Sequence, residues 1–67
     1  KKMNQPKKLI AICFNANNKA YKYKYTLFEN STSLRSFELF CIKRKYQYIN
    51  YYEKESGAFV KRKNLNL

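Results

Sequence analysis

Ala20-Tyr21-Lys22-Tyr23-Lys24-Tyr25-Thr26-Leu27 decides the fold of this chain. Tyr21, Tyr23, Tyr25 and Leu27 alternate with Lys22, Lys24 and Thr26. A period of two places the rings on one face and the lysines on the other, which predicts a strand. A helix would scatter the same tyrosines around its circumference. One face of this strand is expected to pack inward, with the tyrosine hydroxyls reaching the rim, while the lysines face outward.

Working outward, Asn15-Ala16-Asn17-Asn18-Lys19 precedes the strand. Asparagine tolerates left-handed backbone, so a turn is expected here without glycine. Before it, the apolar run Leu9-Ile10-Ala11-Ile12-Cys13-Phe14 is rich in strand formers. Residues 1–8 hold four lysines and the only proline and read as an extended basic arm.

Downstream, Glu29-Asn30-Ser31-Thr32-Ser33 is a polar loop. The next stretch reads two ways. Phe37, Leu39 and Cys41 alternate with Glu38, Phe40 and Ile42, as in a strand buried on both sides. Leu34, Phe37 and Cys41 also fit helical i, i+3, i+7 spacing, and Ser33 could cap such a helix. The strand-forming segment Tyr46-Gln47-Tyr48-Ile49-Asn50-Tyr51-Tyr52 favours two strands joined by a Lys43-Arg44-Lys45 turn. Glu53 to Gly57 is a polar hinge, and residues 57–67, with Lys61-Arg62-Lys63, read as a basic tail. The expected fold class is therefore all-β: a small antiparallel sheet of three to four strands over residues 9–56, with basic N- and C-terminal arms.

Charge limits the function. The 67 residues hold 15 Lys and Arg against 4 Glu and Asp, a net charge of +11. A compact chain so charged repels itself, and a polyanion relieves the repulsion. Nucleic acid is the commonest such partner. More than half of the residues are Lys, Asn, Tyr, Phe or Ile, whose codons are AT-rich, so part of the lysine excess reflects base composition. The candidate RNA-binding residues are Lys7, Lys8, Lys19, Lys22, Lys24, Arg35, Lys43, Arg44, Lys45, Lys61, Arg62 and Lys63. Lysine and arginine suit phosphate contact, and no RNP pattern, GXXG loop or zinc knuckle marks a reader of base sequence.

Catalysis finds no support. There is no histidine, one glycine rules out a glycine-rich phosphate loop, and the glutamates Glu29, Glu38, Glu53 and Glu55 suggest no enclosed acid pair. Cys13 and Cys41, without histidine, cannot complete a zinc site within the chain. Their apolar surroundings favour two small buried hydrophobes over a disulfide. No cofactor, metal or small-molecule substrate is expected. No apolar run reaches the 18 residues of a membrane span. The first residue is Lys1 rather than Met, as expected of a processed chain or a fragment.

Ile10-Ala11-Ile12-Cys13, the turn Ala16-Asn17-Asn18-Lys19, the strand containing Tyr21, Tyr23, Lys24 and Tyr25, the triplet Phe37-Glu38-Leu39, and Tyr46 to Tyr52 followed by Glu53-Lys54 come in a suggestive order. Together they resemble the bacterial-type large-subunit ribosomal protein family thirty-three, in its zinc-free, mitochondrial form, over roughly residues 8–56. Asn17 and Lys19 stand where that family has glycines. The resemblance implies a small three-stranded, non-catalytic β domain of the large ribosomal subunit. It implies rRNA and neighbouring ribosomal proteins as partners, a place near exit-site tRNA, and a mitochondrial ribosome, or else a cytoplasmic or plastid one. A small phage- or plasmid-type nucleic-acid-binding regulator or inhibitor is the alternative. A lysine-rich secreted toxin or membrane-active peptide is a third, weaker one.

Overall fold

The computed structural model describes residues 7–29 and 31–65. Residues 1–6 of the expected basic arm, and residues 66 and 67, lie outside them. The elements run β1 (Lys8–Phe14), β2 (Ala20–Phe28), α1 (Thr32–Lys43), β3 (Tyr48–Glu53) and β4 (Phe59–Asn64). The strands form one antiparallel sheet in the order β2-β1-β3-β4, and α1, the one helix among the described residues, lies on one face of it. The fold is mostly strand, as the sequence predicts, with four strands.

β1 is a central strand, paired with β2 on one side and β3 on the other. Its apolar run is partly covered even on the side away from the helix, where Phe14 stacks on Tyr48. Leu9, Ala11 and Cys13 are fully buried toward the helix, while Ile10, Ile12 and Phe14 are half-buried on the opposite face. The β1–β2 turn is built by asparagine. Asn15 Oδ1 accepts from the backbone N–H groups of Asn17 and Lys19, at 2.9 and 3.0 Å. Asn18 takes the left-handed conformation at φ 61°.

The two-strand expectation for residues 34–52 is corrected: Thr32–Lys43 is a helix. The reason is topological. β2 and β3 are both antiparallel to β1, so they are parallel to each other with β1 between them. Parallel strands need a long crossover, and a helix supplies it. Ser31, rather than Ser33, is the cap. Its Oγ accepts from Leu34 N at 3.1 Å and donates to the Phe28 carbonyl at 2.6 Å. Leu34, Phe37 and Cys41 form the buried stripe.

Lys43-Arg44-Lys45 is consequently the end of a helix and not a hairpin turn. Lys45 is left-handed at φ 65°. The N–H groups of Lys45 and Tyr46 donate to the carbonyls of Ile42 and Cys41, at 2.9 and 3.1 Å. This is a Schellman ending with lysine where glycine is usual.

The tail expectation is corrected as well. Glu53 to Ala58 closes a hairpin with Gly57 at φ 77°, and β4 pairs along β3. Unpaired backbone groups on β3 would otherwise form the sheet edge, and β4 satisfies them. The core, between helix and sheet, joins Leu9, Ala11, Cys13, Leu27, Leu34, Phe37, Cys41, Tyr46, Ile49, Tyr51 and Leu65.

Candidate nucleic-acid interface

Tyr23 and Tyr25 both lean on Phe37 of α1, at 5.5 and 6.2 Å between ring centroids. The tyrosine face of β2 is therefore the helix side, and Lys22 and Lys24 point to the other side of the sheet. Tyr23 Oη and Tyr46 Oη share a hydrogen bond of 2.6 Å, while Tyr21 and Tyr25 remain exposed at 42% and 57%. The inward packing expected of this strand holds for Tyr23 and Leu27 and only loosely for the two outer rings.

No described element covers the other face of the sheet. Strand alternation and register assign to it Lys8, Ile10, Ile12 and Phe14 of β1, and Lys22, Lys24, Thr26 and Phe28 of β2. β3 adds Tyr48, Asn50 and Tyr52, and β4 adds Phe59, Arg62 and Asn64. Lys54, just past β3, reaches across to donate to Thr26 Oγ1 at 2.5 Å. Among the described strand residues this open face carries cations and no carboxylate.

Arg62 is held in place on this face. Its guanidinium carbon lies 4.4 Å from the Tyr48 ring centroid, and its Nε donates to Asn50 Oδ1 at 3.4 Å. Phe14 stacks on Tyr48 from the β1 side, with centroids 4.8 Å apart and rings 16° from parallel. Because β3 lies between β1 and β4, Phe14 and Arg62 approach Tyr48 from opposite sides and occupy both faces of its ring. Tyr52 and Phe59 meet edge to face at 5.7 Å. Base stacking needs an open ring face; both faces of Tyr48 are occupied, whereas Phe28 and Phe59 on the same surface are exposed at 38% and 56%.

The twelve cations expected at the site separate into groups. Lys8, Lys22, Lys24 and Arg62 share the open face, and Lys7 sits beside Lys8. Lys19, Lys43, Arg44 and Lys45 cluster at the end of the molecule where β1 ends and β3 begins. Arg44 lies over the Phe40 ring at 5.2 Å. Arg35, Lys61 and Lys63 fall on the helix side, around a shallow groove that also contains Glu38. They do not converge with the open face. Sequence reasoning missed Lys54, Phe14, Tyr48, Asn50, Tyr52 and Phe59 as members of this surface. The alternation of Tyr48, Asn50 and Tyr52 was the available signal.

The carboxylates lie elsewhere. Glu29, Glu53 and Glu55 sit at the opposite end from Lys43-Arg44-Lys45, and Glu38 projects from α1. Glu38 Oε2 accepts from Tyr51 Oη, and Glu53 Oε1 accepts from Ser56 Oγ. Burial, with the hydrogen bond to Glu38 second, holds the Tyr51 hydroxyl proton well above the usual tyrosine range. Burial and the bond to Tyr46 act in the same direction on Tyr23. Among the described residues no three potential metal ligands gather, and no helix is long and apolar enough to cross a membrane. Comparison with protein-family models, with curated proteins and with solved structures finds no match to this chain.

Proposed function

We propose that this chain is a non-catalytic nucleic-acid-binding module that lays its open sheet face on a double helix. The observation that carries this reading is the composition of that face. Lys8, Lys22, Lys24 and Arg62 surround half-buried and exposed rings and aliphatic side chains, with no carboxylate among the described strand residues of this face, and Lys54 reaches over it from the turn between Glu53 and Glu55. Phosphate contact releases counterions and dominates affinity for such a surface.

The occupied ring faces of Tyr48 favour a partner whose bases are already stacked on one another. Lys22 and Arg62 stand on the two edge strands, three strand spacings apart, or about 14 Å. That is comparable to the major groove of B-form DNA, about 12 Å wide, and on A-form RNA the same span suits the wide, shallow minor groove, so the two edges can meet the phosphate rows on either side. Structured rRNA in the large ribosomal subunit is the partner that the family resemblance implies. Duplex DNA is the partner of the alternative regulator.

The test is binding to labelled duplex RNA, duplex DNA and single strands of equal length, at low and moderate salt. Tenfold tighter binding to either duplex than to single strands, with affinity falling steeply in salt, supports the proposal. Equal or tighter binding to single strands overturns it. Sedimentation of the native protein with large ribosomal subunits at low salt, and its release at high salt, decides for the ribosomal form. A protein that stays at the top of the gradient and prefers duplex DNA decides for the regulator.

A further inference from the structure

Cys13 and Cys41 stand 28 positions apart in sequence and meet in the core, with sulfurs 3.4 Å apart sharing one hydrogen bond. Both are free thiols, and both residues are fully buried. Cys13 belongs to the central strand and Cys41 to the last turn and a half of α1. A disulfide needs about 2.05 Å between sulfurs, so the pair must close by about 1.4 Å. The helix can move that far. It is held on the sheet by packing of Leu34, Phe37 and Cys41 and by the Glu38–Tyr51 hydrogen bond, not by a backbone ladder.

We propose that Cys13 and Cys41 are a modification site, at which a peroxide oxidises the pair to a disulfide that fastens α1 to β1. The step balances. A Cys41 thiolate attacks one peroxide oxygen, the O–O bond breaks, and a sulfenic acid forms with release of water after proton uptake. The Cys13 sulfur then displaces the sulfenic oxygen as a second water. Two S–H bonds are lost, one S–S bond is gained, and hydrogen peroxide is reduced to two waters.

Either sulfur can donate the hydrogen bond between them; it favours charge on Cys41, against burial and the nearby Glu38 carboxylate, and together with burial it keeps the proton on Cys13. Burial makes the reaction depend on transient lifting of the helix. The closed loop contains all of β2, so the bond removes much of the freedom of the unfolded chain. A small self-repelling domain gains more from that restraint than a large one. The site lies on the helix side, so its oxidation leaves the open face unchanged and does not depend on nucleic-acid binding.

The experiment treats the native chain with hydrogen peroxide, then measures free thiols in denaturant, intact mass and thermal unfolding. The expected result is loss of both thiols in a monomer lighter by two hydrogens. Tm should rise by more than about 10 °C, and a reductant should reverse every change. Cys13→Ala and Cys41→Ala should each abolish the mass loss. Addition of oxygen to the sulfurs, disulfide-linked dimers, or thiols that persist until the chain is denatured would each overturn the proposal. The wild-type comparison needs no substitution, so a variant that fails to fold does not obscure the outcome.

Discussion

Tyr51 Oη donates to the Glu38 carboxylate across 2.9 Å, so a fully buried ring of β3 is bonded to α1. The bond ties α1 to the β3 side of the sheet and gives the helix a polar anchor. Tyr51→Phe keeps the ring and removes the bond. The expected loss is about 1–2 kcal/mol at neutral pH, because the acceptor is charged but partly solvated. Urea unfolding of the two proteins measures it.

The same hydroxyl gives an alkaline signature. Its folded-state pKa is raised above the ordinary value of 10.0, as is that of Tyr23. Below pH 10 both folded and unfolded states keep the proton, and stability is insensitive to it. Above pH 10 the unfolded chain loses the proton while the folded chain retains it, so stability falls as pH rises. Lysine deprotonation acts on both proteins alike. The wild type should therefore lose stability more steeply than Tyr51→Phe between pH 9.5 and 11, about one unit around that ordinary value. Parallel pH profiles of the urea midpoint test this.

Lys45 occupies the left-handed position that ends α1. Its side chain pays a steric cost there that glycine avoids. Lys45→Gly should stabilise the chain by about 0.5–1 kcal/mol, in spite of the added backbone freedom in the unfolded state. Ser31→Ala should act in the opposite direction, by about 1 kcal/mol, since it removes the acceptor for Leu34 N–H. Thermal melts of both variants decide.

Nucleic-acid affinity should depend on which face a cation occupies. Lys22→Ala and Lys24→Ala, on the open face, should each reduce the salt slope of binding by about one unit. Arg62→Ala should do the same and also release Tyr48. Arg35→Ala, on the helix side, should leave the slope almost unchanged. Equal effects from Arg35 and Lys22 would mean that the open face is not the contact surface.

Much of the sheet was legible in the sequence. β2 announced itself by alternation, because an edge strand with one wet face must alternate. β1 announced itself by an unbroken apolar run, whose members on the open face, Ile10, Ile12 and Phe14, are half-buried by side chains of the neighbouring strands. Asn18 marked its turn by residue type alone. The helix was legible only as one of two readings. Phe37 to Ile42 satisfies both periods, and the crossover that decides between them depends on the non-local pairing of β1 with β3. β4 was hidden because Lys61-Arg62-Lys63 is wet on both faces and carries no apolar alternation. The cations of the site were legible one by one. Their grouping was not, since the strand order, rather than any local pattern, brings Lys22, Phe14, Tyr48 and Arg62 onto one surface.

The strand order also divides the chain. The hairpins β1–β2 and β3–β4 share backbone pairing only along the β1–β3 ladder, where Leu9 faces Glu53 and Phe14 faces Tyr48. During synthesis the first hairpin must therefore wait, with one edge of β1 unpaired, until the final third of the chain emerges. Such late, long-range pairing makes for slow folding and leaves the nascent hairpin prone to wrong partners. It also makes the molecule divisible. A chain cut after Arg44 is expected to give two pieces whose complementary edges, β1 and β3, pair again on mixing.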